Sequence, residues 1–177
     1  MVMTSADVIF GRRRGRPADP ELVVVTARAA LPVEHPALQA GALVLTTTAV
    51  ARELRGNLPA SCTVLAAGSG PRLSMCEVLD AVHARGHRVL LTEGGPYVVG
   101  QLMAGGLQDE LFLTIAPIPP GRIDTPRPGL IAGQEFLPAR RHPAHLVSVR
   151  RHESYLFLRY RFHRSITNED SDTHPHA

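Results

Sequence analysis

The chain has 177 residues, 44% of them hydrophobic and 20% charged, with 15 glycines and 15 prolines; this suits one globular domain and excludes a disordered, collagen-like or multi-domain chain. Nineteen basic against 16 acidic residues leave a net charge of +3, too small an excess for a duplex-binding surface, and because every basic residue is Arg no lysine is present for imine or general-base chemistry. With 5% aromatic residues and no Trp, composition argues against an aromatic base-stacking platform and a membrane-interface belt.

Cys62 and Cys76 form neither a C-x-x-C nor a metal-spaced cluster, so a reducing compartment is expected, with both thiols as small core residues and no structural zinc. No apolar run approaches the ~18 residues of a membrane span, and no basic-then-apolar leader opens the chain. The expectation is a soluble cytoplasmic protein that engages neither membrane nor nucleic acid.

In chain order, Gly11-Arg12-Arg13-Arg14-Gly15-Arg16-Pro17 is a basic, glycine-rich connector, and residues 1–18 are read as a segment outside the domain. Residues 22–25 and 42–46 are short apolar runs with the look of buried strands. Residues 48–54 follow as a short helix ending at Gly56, then 62–66 as a third strand. Ser74 and Glu77 have the spacing of a capping box, and Met75, Val78, Leu79 and Val82 then fall at helical intervals before Gly86.

Residues 88–92 are read as an all-buried strand, which Glu93-Gly94-Gly95-Pro96 ends. Proline at the first helical position and Gly105-Gly106 after the last predict a helix over 96–104. Leu111, Leu113 and Ile115 alternate with Phe112 and Thr114 in the next strand. A Pro/Gly-rich stretch, 118–138, is too long for an idle connection. Residues 145–151 and 155–162 form an antiparallel hairpin, with Leu156, Leu158, Tyr160 and Phe162 on one face and Arg159 and Arg161 on the other. The tail, 166–177, has nothing to bury. The alternation of elements predicts an α/β fold, a mostly parallel sheet with a C-terminal antiparallel hairpin.

Chemistry is expected where a strand ends in two glycines and opens a helix, at Leu91-Thr92-Glu93-Gly94-Gly95-Pro96-Tyr97. Backbone N–H groups at a helix N-terminus favour an anion, and glycine lets a ligand approach the backbone. Ligands in open α/β sheets bind beyond the carboxyl ends of the strands. Glu93 would repel a phosphate, so its carboxylate suits a ribose hydroxyl or a carboxamide. A tight strand-to-helix turn explains the glycines equally well, and the helix dipole alone accounts for Glu93. His83 with His87, His142 with His145 and His174 with His176 lack further ligands, and no metal site is assigned.

Glu93-Gly94-Gly95-Pro96, Gly106-Leu107 with Asp109-Glu110-Leu111, Ile115-Ala116-Pro117 and Gly121 resemble the signature of the reductase domain of riboflavin biosynthesis, the C-terminal domain of the bifunctional deaminase/reductase. Pro20-Glu21-Leu22-Val23-Val24-Val25-Thr26, Leu43-Val44-Leu45-Thr46-Thr47 and Tyr155-Leu156-Phe157-Leu158-Arg159-Tyr160 add to it. The resemblance covers residues 19–163 and defines a reductase-like domain over 19–165. It implies a dihydrofolate-reductase-like three-layer fold and NADPH-dependent reduction of the ribosyl group of 5-amino-6-(5-phosphoribosylamino)uracil, a small phosphorylated substrate, by a homodimer.

Carried over to this chain, the resemblance implies that Gly94, Gly95, Pro96 and Tyr97 line the NADPH pyrophosphate. Glu93 then faces the substrate or the nicotinamide ribose as the catalytic candidate, and Thr26 and Thr46 lie near the adenosine end. Arg28 is a candidate for the 2′-phosphate, with a surface salt bridge as the plainer role, while Asp109 and Glu110 are structural. The family's S-x-D-G turn and G-x-G-T-x-R loop are not found: Ser5-Ala6-Asp7-Val8-Ile9-Phe10 resembles the start of the family's second strand but runs straight into the arginines. A member lacking its N-terminal portion is therefore expected. The alternatives are an inactive member that keeps only nucleotide binding or dimerisation, and a reductase acting on a pterin-like ring.

Overall fold

The computed structural model describes residues 7–13 (backbone only), 20–119, 129–136, 138 and 141–163. Residues 120–128, Gly121 among them, and 137 of the Pro/Gly-rich stretch, the tail with His174 and His176, and the side chains of Arg12, Arg13, Arg14 and Arg16 lie outside the described residues. The chain divides into two compact units, Met1–Gly105 with Pro128–Gln134, and Gly106–Arg127 with Glu135–Ala177.

The first unit holds strands β1 (Asp7–Arg13), β2 (Glu21–Val25), β3 (Leu43–Thr47), β4 (Thr63–Gly68) and β5 (His87–Thr92), with helices α1 (Pro36–Gln39), α2 (Thr48–Asn57), α3 (Met75–Ala84) and α4 (Pro96–Ala104). Its sheet has the order β4-β3-β2-β1-β5. β2, β3 and β4 pair in parallel, with Val24 beside Val44 and Val44 beside Val64. β1 is antiparallel to both β2 and β5, so β5 runs in the same direction as the three parallel strands. Part of the segment that the sequence reading placed outside the domain is thus an inner strand.

Alternation along the strands sorts the core into two layers. Val24 and Val44 pack with Leu38 of α1 and Leu54 of α2, whereas Val23, Val25, Leu43 and Leu45, all buried, take the opposite side. α3 packs on β4 and β5 and against α4. The chain moves outward from β3 to β4 through α2 and back to β5 through α3, so right-handed crossovers place those helices on opposite faces. A helical layer on each face of the sheet gives three layers.

α3 begins where the sequence predicts. The Ser74 hydroxyl accepts from the Glu77 N–H at 3.2 Å, and the Glu77 carboxylate accepts from the Ser74 N–H at 2.8 Å. Those bonds, the backbone N–H first and the hydroxyl next, hold the Glu77 carboxyl below its ordinary range against the opposing effect of burial. Cys76, expected in the core, is instead exposed in the first turn, and Cys62 is half-buried with its thiol donating to Leu38 O. Cys76 follows the buried Met75 on the helix and turns away from the stripe that faces the sheet.

β5 departs from the all-buried reading: Val89 and Leu91 are 67% and 52% exposed. Leu91 and Leu22 both pair with Phe10, which puts Leu91 on the side of Val24. α2 covers β3 and β4 there, and β5 is the last strand of the sheet, beyond that cover.

The second unit is a sheet of β6 (Glu110–Ile115), β8 (Tyr155–Phe162) and β7 (Ala144–His152), antiparallel throughout in the order β6-β8-β7. The predicted hairpin is present, turning at Glu153 with φ 51°, and its other partner is β6. The α/β class and the mostly parallel sheet thus stand beside a separate antiparallel sheet.

Candidate functional site

Because β2, β3, β4 and β5 share a direction, their C-terminal ends open at one edge of the first unit's sheet. Thr26, Thr46, Gly68 and the turn after Thr92 all lie there, the edge where α/β sheets bind ligands. β1 stands between β2 and β5, so Thr26 and the Glu93 turn are two strand spacings apart, roughly 9–10 Å. Such an edge suits an elongated ligand.

Each predicted residue has a definite setting. The Thr26 N–H donates to Leu45 O at 3.0 Å, and its hydroxyl donates to Arg28 O at 2.8 Å and accepts from the Arg28 N–H at 3.0 Å. That hydroxyl therefore fixes the turn after β2, and Arg28 is exposed beyond it. Thr46 is 0% exposed, and its Oγ1 has no hydrogen-bond partner among the described residues. A buried hydroxyl without a partner costs about 1–3 kcal/mol, and among the predicted site residues Thr46 is the one with a buried side-chain polar atom left without a partner among the described residues.

At the β5–α4 turn the Gly94 N–H donates to Thr92 Oγ1 at 3.1 Å. A Cβ at Gly94 would lie 3.0 Å from that oxygen and 3.1 Å from Val98 Cβ, so glycine is what lets the turn lie against α4. Gly95 caps the helix in an extended conformation and accepts from Val98 N–H at 3.0 Å and Val99 N–H at 3.2 Å. Pro96, at the first helical position, has no N–H. The turn thus offers an anion the helix dipole and a close approach, but fewer N–H donors than two glycines suggest. Glu93 and Tyr97 are exposed.

Three features of this edge escaped the sequence reading. Thr48 Oγ1 donates to Gly68 O at 3.2 Å, tying the start of α2 to the end of β4. A Cβ on Gly68 would sit 2.6 Å from a Glu77 carboxylate oxygen, so the end of β4 and the α3 cap need a glycine between them. Residues 131–134 lie along α4: the Ala132 N–H donates to Pro96 O at 3.0 Å, and a Cβ on Gly133, whose φ is +72°, would lie 2.8 Å from the Tyr97 ring. A φ > 0 glycine seldom announces its contact in the sequence.

The remaining candidates lie in the second unit. Glu110 pairs with Arg159 at 2.7 Å and Arg161 at 3.1 Å, in keeping with a structural role, and Asp109 O accepts from the Phe162 N–H at 2.9 Å. Among the described residues no group of three or more His, Cys, Asp or Glu is placed to hold a metal ion, and no helix is long and apolar enough to cross a membrane.

The chain is similar in structure to a pyrimidine reductase-like protein from Corynebacterium diphtheriae, at 23% identity and a TM-score of 0.60. The match covers 82% of this chain and 62% of that one, so this chain spans less than two thirds of its neighbour's length. It supports the α/β fold of the resemblance. No curated protein matches the sequence. The family model for the RibD C-terminal domain matches residues 4–150, more than four fifths of the 177-residue chain, and with the strand-edge geometry above it places this protein in the RibD C-terminal domain family.

Proposed function

We propose that the chain is an NADPH-dependent reductase of the riboflavin-pathway type, which reduces the ribosyl group of 5-amino-6-(5-phosphoribosylamino)uracil to ribityl. The observation that carries the reading is the Thr46 hydroxyl, buried without a partner at the edge where four like-directed strands end. A ligand polar group bonded to Thr46 would remove that penalty, and the distance from β3 to β5 suits an extended dinucleotide. These residues fit the cofactor.

In this reading Thr46 and the turn at Thr26 hold the adenosine end, and Gly94, Gly95, Pro96 and Tyr97 take the pyrophosphate beside the α4 N-terminus. Glu93, exposed just before the glycines, accepts from a ribose or substrate hydroxyl. NADPH supplies a hydride when bound. The protein's work is orientation, which requires no side-chain nucleophile and accords with a site built of threonines and glycines. The active form is a cytoplasmic homodimer.

A second reading rests on the arginines that stand after Phe10, where the family's G-x-G-T-x-R loop would follow: the chain binds the nucleotide but does not turn over. NADPH oxidation followed at 340 nm with the uracil substrate separates the two. Substrate-dependent oxidation, reduced in Glu93→Gln, supports the first; binding without oxidation supports the second.

A further inference from the structure

The antiparallel sheet of the second unit has two unlike faces. Leu111, Leu113, Leu156, Leu158 and Tyr160, the more buried set, share one of them. The other face carries Phe112, Tyr155 and Phe157 together with Arg150, Arg159 and Arg161. Phe112 is 64% exposed and Phe157 is 42% exposed. Such a face normally carries polar residues, and two open phenylalanines on it call for an explanation.

Cross-strand register fixes the pattern. Arg159 stands opposite Phe112, with its guanidinium carbon 5.6 Å from the ring centroid. Phe157 stands between Thr114 and Arg150, diagonal to Phe112 at roughly 7–8 Å, and Tyr155 stacks on it at 6.5 Å with rings 28° apart. Glu110 is the one carboxylate in these rows. It uses the Nε and Nη2 groups of Arg159 and Arg161, and those bonds, Arg159's first, hold its carboxyl below the ordinary carboxylate value against the opposing effect of burial. Among the described residues, three guanidinium groups face one carboxylate on these rows, leaving two positive charges in excess, and His145 and His152 extend the row.

We propose that this face binds single-stranded nucleic acid, with bases stacked on Phe112 and Phe157 and the backbone phosphates met by Arg150 and Arg161. Open rings accept any base, and adjacent guanidinium groups track a phosphate backbone. The same combination on a sheet face is a general solution for unstacked bases. Charge complementarity selects the occupant, since a second copy would bring the same positive charges against these. Composition argues against a stacking platform because aromatic residues are few; the fold gathers three of them on one face.

The test is fluorescence anisotropy of a labelled oligothymidine of about 20 nucleotides, titrated with the full chain in low salt and then across a salt series. Binding should be stronger than to a duplex of equal length. Phe157→Ala and Phe112→Ala should each weaken it roughly tenfold, and Arg150→Gln should reduce the salt slope by roughly 0.7. Circular dichroism checks that each variant remains folded, and Arg150→Gln, at an exposed position, serves if a ring variant does not. The proposal is overturned by no binding up to about 100 μM, by equal affinity for the duplex, or by ring variants that bind unchanged. It is also overturned if light scattering shows that the face is closed by a second copy which Phe112→Ala and Phe157→Ala release.

Discussion

The imidazole of His87, 1% exposed, bonds the carboxylate of Glu21 at 2.5 Å from the far side of the strand between them. Arg85, just past the end of α3, grips the same carboxylate at 2.6 Å. Burial alone would push the Glu21 carboxyl up and is the largest single influence, but the hydrogen bonds from Arg85 and then His87, with their charges, bring it below its ordinary value. The bridge joins β2 to β5 at the edge opposite the candidate site.

Replacing Glu21 therefore has a pH signature. A carboxyl whose folded pKa lies below the unfolded value of about 4.5 contributes stability that is full above that pH and is lost as pH falls through the folded pKa. Glu21→Gln should lower stability by about 1–3 kcal/mol near neutrality, read by urea unfolding. The deficit should shrink as pH falls below about 4.5, the unfolded value, and through the lowered folded pKa.

The α3 cap is a local test of the fold. Ser74→Ala removes the hydroxyl that accepts from the Glu77 N–H and should cost about 1 kcal/mol, measured as a shift of the urea midpoint with unchanged slope. Ser74→Asp, which keeps an acceptor, should recover most of it.

Gly94 is held by packing. Gly94→Ala sets a methyl 3.0–3.1 Å from Thr92 Oγ1 and Val98, which should cost about 1–3 kcal/mol and shift the β5–α4 turn. Thermal unfolding should show the loss, whereas Gly56→Ala, with no atom within 4 Å of the added carbon, should leave stability unchanged or raise it.

Much of this is legible in the sequence because it is local. The Ser74/Glu77 box, Pro96 opening α4 and the alternation of 155–162 each rest on neighbours a few residues apart. What a strand pairs with is not local: nothing in residues 145–162 says that the hairpin joins β6, and the strand-like start at Asp7-Val8-Ile9-Phe10 does not say that Asp7–Arg13 lies between β2 and β5. Val89, Leu90 and Leu91 make a run that a buried strand would share, and only the limit of α2's cover exposes two of them. His87 resembled a half of a failed metal pair, since Glu21 lies 66 residues away. At the site, the Gly-Gly turn and the missing Pro96 N–H are visible in the sequence, but the use of the Gly94 N–H by Thr92 Oγ1 and of the Val98 and Val99 N–H groups by Gly95 O depends on the geometry of the turn.

Thr46 separates a ligand-binding hydroxyl from a merely tolerated one. Thr46→Val removes an unpartnered buried hydroxyl and should leave the unliganded chain as stable or more so. If the hydroxyl serves a nucleotide, NADPH affinity should nonetheless fall roughly five- to tenfold, about 1–1.4 kcal/mol, in the same preparation.

The most direct measurement is equilibrium binding of NADPH and NADH to the purified chain, with Gly95→Val and Thr46→Val beside it. The account predicts NADPH-selective binding that Gly95→Val abolishes and Thr46→Val weakens. A folded wild-type chain that binds neither nucleotide at millimolar concentration would contradict it.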